Sequence, residues 1–123
     1  MDIALWIVAG IAALLFLAAG AMKALQPKEK LATSMGWVDD FSTPQVKLIG
    51  IAEVLGALGL ILPALFNTAT ILVPIAATGV AVIMIGAMVV HARRGEAQMI
   101  PINVVLFALA AFVAVGRFFI EPF

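Results

Sequence analysis

Four polar side chains stand inside or at the edge of otherwise apolar runs: Lys23, Glu53, His91 and Asn103. Their chemistry is complementary. A carboxyl and an ammonium can pair or exchange a proton. An imidazole can take or give one near neutrality, and a side-chain amide offers both a donor and an acceptor. Together they could hold the polar head of a ligand or relay a proton. The blander alternative is that they only fix helix register. Glu53 poses the question most sharply, because it sits in "LIGIAEVLGALG" with no other charge nearby. A lone carboxylate at a bilayer centre costs about 2.5–3.5 kcal/mol on insertion scales. Either Lys23 offsets part of that cost, or the carboxyl is carried neutral, since desolvation disfavours the charged form.

The elements that must position these groups are set by composition. Of 123 residues, 65% are hydrophobic and 11% charged. Soluble domains are nearer about 45–50% apolar. A water-soluble monomer of this length could not hide so much apolar surface, so one all-α integral membrane domain is expected, a four-helix bundle over residues 1–123. Four runs are long enough to cross about 30 Å of hydrocarbon. They cover about residues 3–25, 45–66, 70–91 and 99–119. "STP" opens the second, with Thr43 as cap and Pro44 in the first turn. Pro63 and Pro74 flank the loop between the second and third spans, and Pro101 falls in the first turn of the fourth. The loop 26–44 carries Leu31, Met35, Val38 and Phe41 among charges. That pattern suggests a short interfacial helix ending at Gly36. The N-terminal stretch lacks the cationic segment of a secretory signal and reads as a retained helix.

Six of the seven lysines and arginines fall on one side of a four-span topology: Lys23, Lys28, Lys30, Lys47, Arg93 and Arg94. Only Arg117 falls on the other. The positive-inside bias places the two basic loops in the cytoplasm and both termini outside. Trp6, Trp37, Lys47, Arg93, Arg94 and Arg117 are the expected interface anchors, with Lys47 snorkelling to the headgroups and Arg117 pairing with Glu121 one turn on. Side chains lean toward the N-terminus of their helix. Lys23 and His91, at the ends of inward-running helices, and Glu53 and Asn103, near the starts of outward-running ones, therefore lean toward one level. Small residues mark the contact faces, including Gly20, Gly50, Gly56, Gly59 and Ala110.

Several functions are disfavoured. With no cysteine, the chain has no disulfide, thiol relay or thiolate metal site. A single histidine gives no zinc set, and no catalytic residues are assigned. Zero net charge, without basic residues interleaved with aromatics, gives no expectation of nucleic acid.

The segments "AGAMKALQPKEKLATSMGWVDDFSTPQVKLIGIAEVLGALGLILPA" and "HARRGEAQMIPINVVLFALAAFVAVGRF" resemble the DoxX-like family of small bacterial membrane proteins. The resemblance rests on Gly20 with Lys23, the "MGWVDDFS" loop, Gly50-x-x-Glu53-x-x-Gly56, and "HARRGE" with Pro101 and Asn103. It implies a four-helix membrane fold and an accessory or assembly role, in some relatives beside oxidoreductases. The chain has no redox centre of its own, so if it takes part in redox chemistry it must hold a quinone or a partner protein. The expected partners are the lipid bilayer, a membrane or redox protein, and a second copy of the chain. A small proton-coupled transporter is the alternative, as is a purely structural scaffold. Against transport, small multidrug exporters carry their carboxylate in the first helix, and many show little charge bias.

Overall fold

The computed structural model describes residues 1–32, 36–37 and 41–123. They form helices and turns, with no strand among the described residues. The long helices are α1 (Asp2–Leu25), α3 (Thr43–Leu65), α4 (Leu72–Arg93) and α5 (Ile100–Val115), with a short α2 (Lys28–Ala32) between the first two. A 3-10 turn, Ala97–Met99, leads into α5, and a π turn, Gly116–Ile120, ends it. Counting these turns with α5, four helical segments among the described residues are long and apolar enough to cross a membrane.

The helices form a closed up-down ring. The α1–α3 contact is the most extensive, followed by α4–α5 and α3–α4, and α5 returns to α1. Short connections favour this order, because neighbours in sequence become antiparallel neighbours in space. The core is built from small and medium side chains: Ala9, Ala12 and Phe16 of α1 meet Ala57 and Leu60 of α3, Ala77 and Val80 of α4, and Ala110 and Val113 of α5. Outward faces are equally apolar, with Ile3, Leu14, Leu55, Leu65, Val82 and Phe119 exposed. A helix that is apolar all round needs lipid on its outer face.

Each helix end has a local cause. Gln26 turns extended (φ −88°, ψ 147°) ahead of Pro27, a residue that disfavours helical geometry before it. The cap of α3 is Ser42, one residue earlier than the expected Thr43. Its hydroxyl accepts from Gln45 N–H at 3.3 Å, while Gln45 Oε1 accepts from Ser42 N–H at 2.9 Å. This capping box satisfies two orphan donors at once, and Thr43 cannot do the same from inside the helix. α4 closes with Gly95 in the left-handed region (φ 70°). Glu96 N–H donates to His91 C=O at 2.8 Å and Gly95 N–H to Ala92 C=O at 3.3 Å, the two bonds of a Schellman motif.

Between α1 and α3 only Lys28–Ala32 is α-helical among the described residues, with a 3-10 turn at Gly36 and Trp37. Leu31 is buried against Val46, with Ala32, Trp37 and Phe41 packed around them. Met35, expected within the interfacial helix, and Val38, beyond its expected end, lie outside the described residues. The end of the bundle carrying this loop and the α4–α5 turn is the basic end.

Candidate functional site

Gly20 and Lys23 of α1 face Gly50 and Glu53 of α3 in a reciprocal arrangement. A methyl at Gly20 would fall 2.6 Å from Gly50 C=O and 2.9 Å from Glu53 Cβ. A methyl at Gly50 would fall 2.7 Å from Gly20 C=O and 2.8 Å from Lys23 Cβ. Each glycine thus makes room for the stem of the charged residue opposite, and the two backbones meet directly. Lys23 Nζ donates to Glu53 Oε1 at 2.5 Å. Glu53 is 1% exposed. Trp37 covers the pair from the basic end, with Lys23 Nζ 5.6 Å from the ring centroid. Trp37 in turn meets Phe41 edge-on at 5.5 Å. The ammonium therefore lies between a carboxylate and an aromatic face.

His91 belongs to another contact set. His91 Nδ1 lies 3.0 Å from Glu96 Oε1, and Arg94 Nε donates to the same oxygen at 3.2 Å. The Schellman turn folds Glu96 back over His91, and these bonds hold the Glu96 carboxyl below the usual carboxylate range, the one to His91 first. A methyl at Gly36 would fall 3.2 Å from the Arg94 guanidinium, so the segment that covers the Lys23–Glu53 pair also touches this turn. Asn103 is 7% exposed, on the inner face of α5.

Contacts along the helices give the relative depths. Gly20 faces Glu53; Gly56 faces Val80 of α4; Gly116 faces Leu5 of α1. Counting from these, Asn103 comes level with α1 near Ala18, within about one turn of Glu53. His91 lies about two turns nearer the basic end. The expected common level therefore holds Glu53 and Asn103, with Lys23 leaning back to reach it. The N-terminal lean of side chains gives the direction in which Lys23 reaches Glu53. It could not supply the register between helices, which the glycine contacts set.

The expected anchors resolve individually. Lys47 Nζ donates to Ala24 C=O at 3.1 Å, capping the C-terminal end of α1 instead of reaching outward. Arg93 is exposed. Trp6 meets Phe123 edge-on at 6.2 Å. Arg117 is 4% exposed. Its carboxylate partner is Asp2, at 2.8 Å, and it reaches Glu121 through the backbone carbonyl at 2.9 Å. The π turn brings this carbonyl within range, and the guanidinium carbon sits 3.9 Å from the centre of the Phe123 ring. Sequence spacing pointed to Glu121; Asp2 was missed because its proximity depends on α1 packing against α5.

Away from the basic end, α1 and α3 part to leave an apolar groove of about 530 Å³. Trp6, Gly10, Leu14 and Leu17 line one wall, and Leu58 and Ile61 the other. It ends about one turn from the glycine crossing. Among the described residues no group of three or more His, Cys, Asp or Glu lies together as a metal set.

Four apolar helices closed in a ring, with an ion pair between two of them, define a multi-pass membrane protein in contact with the lipid bilayer. The sequence profile of the DoxX-like family matches residues 7–113, and the chain belongs to that family. Comparison with curated proteins and with solved structures returned no match.

Proposed function

We propose that the protein is a quinone-associated accessory subunit of an assembly in the bacterial cytoplasmic membrane, with the basic end in the cytoplasm and both termini outside. The observation that carries this reading is the build of the α1–α3 unit. It is fixed at one end by the Lys23–Glu53 pair and the Gly20–Gly50 crossing, and it opens at the other into a lipid-facing apolar groove. An apolar slot open to the bilayer fits the hydrocarbon tail of a quinone, which enters from lipid. Leu14, Leu17, Leu58 and Ile61 would hold the tail. Bound quinone would supply two-electron redox chemistry that the chain's own side chains do not.

The test is native mass spectrometry of the protein purified in mild detergent. Co-purified quinone, or a retained partner subunit, is the expected result. Gly10 has nothing within 4 Å of a would-be Cβ, so Gly10→Leu should fill the groove, leave the bundle folded and lose the quinone. Spectra that show neither quinone nor partner overturn the reading. Proton-coupled uptake in proteoliposomes that disappears in Glu53→Gln would replace it with transport. Full function of the Glu53→Gln, Lys23→Met double variant with nothing bound would replace it with a scaffold.

A further inference from the structure

Two buried side-chain atoms among the described residues have no hydrogen-bond partner: Glu53 Oε2 and Asn103 Nδ2. They are opposite in kind. A carboxylate oxygen accepts, and an amide nitrogen donates. Each belongs to a side chain more than nine-tenths buried, Glu53 at 1% and Asn103 at 7% exposed. They come from α3 and α5, which lie across the ring from each other, and the register above puts the two residues within about one turn in depth. Both helices run in the same direction, so both side chains lean the same way. The two atoms do not bond each other.

Lys23 occupies the other carboxylate oxygen, Oε1, so the site's two arms have separate duties. One oxygen balances the buried cation; the second is free to take a neutral donor. A second cation is disfavoured there, because Lys23 already lies against the same carboxylate. A purely acceptor ligand would satisfy Asn103 and leave Glu53 unmet. One group satisfies both atoms with a single oxygen: a hydroxyl, which accepts from N–H and donates through its own proton. Leaving two such buried polar atoms unmet is costly.

We propose that Glu53 Oε2 and Asn103 Nδ2 form a two-point site for one hydroxyl group, from water or from a lipid-soluble alcohol, that links α3 to α5 across the bundle. The site is separate from the groove between α1 and α3 and does not depend on the accessory-subunit reading. Water is the smallest ligand with this chemistry, and buried waters typically bridge otherwise unmet polar groups. An alcohol brings the same hydroxyl with a hydrocarbon body attached.

The test is solid-state NMR of wild-type protein, perdeuterated, labelled with carbon-13 and nitrogen-15, back-exchanged in H2O and reconstituted in protonated bacterial lipid extract. Proton transfer of magnetisation to both the Asn103 side-chain nitrogen and the Glu53 carboxyl carbon, from a source beyond Lys23, is the expected result. Water as the source gives transfer at the water frequency and none from C–H protons. An alcohol adds transfer from C–H protons, which persists in D2O. Transfer to only one of the two nuclei, or to neither, overturns the site. In Asn103→Leu the transfer to the Glu53 carboxyl carbon should be lost; its retention in a folded variant overturns the bridge.

Discussion

Gly20 of α1 stands against the Cβ of Glu53 in α3, and this contact decides how a charge enters the bundle. With no side chain at Gly20, the stem of Glu53 fits between the helices and its carboxyl turns toward Lys23. Gly50 does the same for Lys23. The ion pair and the closest backbone approach are therefore one structural unit. The charges do not interrupt the packing face; the packing face is shaped to admit them.

That unit makes the two charges interdependent. Glu53→Gln leaves the half-buried Lys23 beside a neutral amide, and Lys23→Met leaves Glu53 without its cation. Breaking a buried pair from one side costs about 3–5 kcal/mol, while replacing both partners can be close to neutral. The double variant should therefore be more stable than either single one, with a coupling of at least about 1 kcal/mol. Denaturant titrations of all four proteins in one detergent measure it. Additive single effects would show that the pair does not act as a unit.

The glycines should divide into two groups. Gly20→Ala and Gly50→Ala place a methyl within 2.6 Å of backbone atoms on the facing helix. Backbone cannot swing aside as a side-chain tip can, so each should destabilise by about 1–3 kcal/mol or more and part α1 from α3. Gly79 and Gly86 have nothing within 4 Å of a would-be Cβ. Alanine there should be neutral or stabilise by about 0.5–1 kcal/mol, from reduced backbone freedom in the unfolded chain. Thermal unfolding of the four variants separates the groups.

The spans could be read from sequence because a 20-residue apolar run has few alternatives. The Ser42 cap was also there to be read: "STPQ" places Ser and Gln three apart, the spacing of a capping box. Lys23 with Glu53 followed from scarcity, since few other charges lie within reach of the membrane interior. What escaped was register. Sequence says which way His91 and Asn103 lean, but not how far α4 and α5 slide against α3, and a slide of two turns separates His91 from Glu53. Likewise Lys47 finds Ala24 C=O only because α1 ends beside the second turn of α3. Glu96 as partner of His91 did have a signal. Gly95 at the end of a helix, followed by an acid, predicts a turn that folds the acid back.

Glu96 gives the basic end a sign in acid. Its folded pKa lies below the ordinary 4.5, through the bond to His91 and then to Arg94. A group with a depressed folded pKa stabilises above its unfolded value and loses that contribution as pH falls through the folded one. Wild type should therefore exceed Glu96→Gln in stability at pH 7, and the gap should close as pH falls from about 4.5 downward. The effect is small because the site is open to solvent. Unfolding of both proteins across pH 7 to 3 measures it. A gap that grows in acid would contradict the assignment.

Topology can be tested directly, because the chain contains no cysteine. Every introduced thiol is then a unique reporter. Glu29 and Arg93 are exposed at the basic end, and Thr68 is exposed in the opposite loop between α3 and α4. The excess of lysine and arginine predicts that the first two face the cytoplasm. In intact cells with a permeable outer layer, a membrane-impermeant maleimide should label Thr68→Cys and spare Glu29→Cys and Arg93→Cys. Opening the cytoplasmic membrane should make all three react. The reverse pattern would place the basic end outside, with the Trp37 side of the ion pair facing away from the cytoplasm. Labelling of all three in intact cells would instead mean that both orientations coexist, and the charge bias of six to one would then not govern insertion of this bundle.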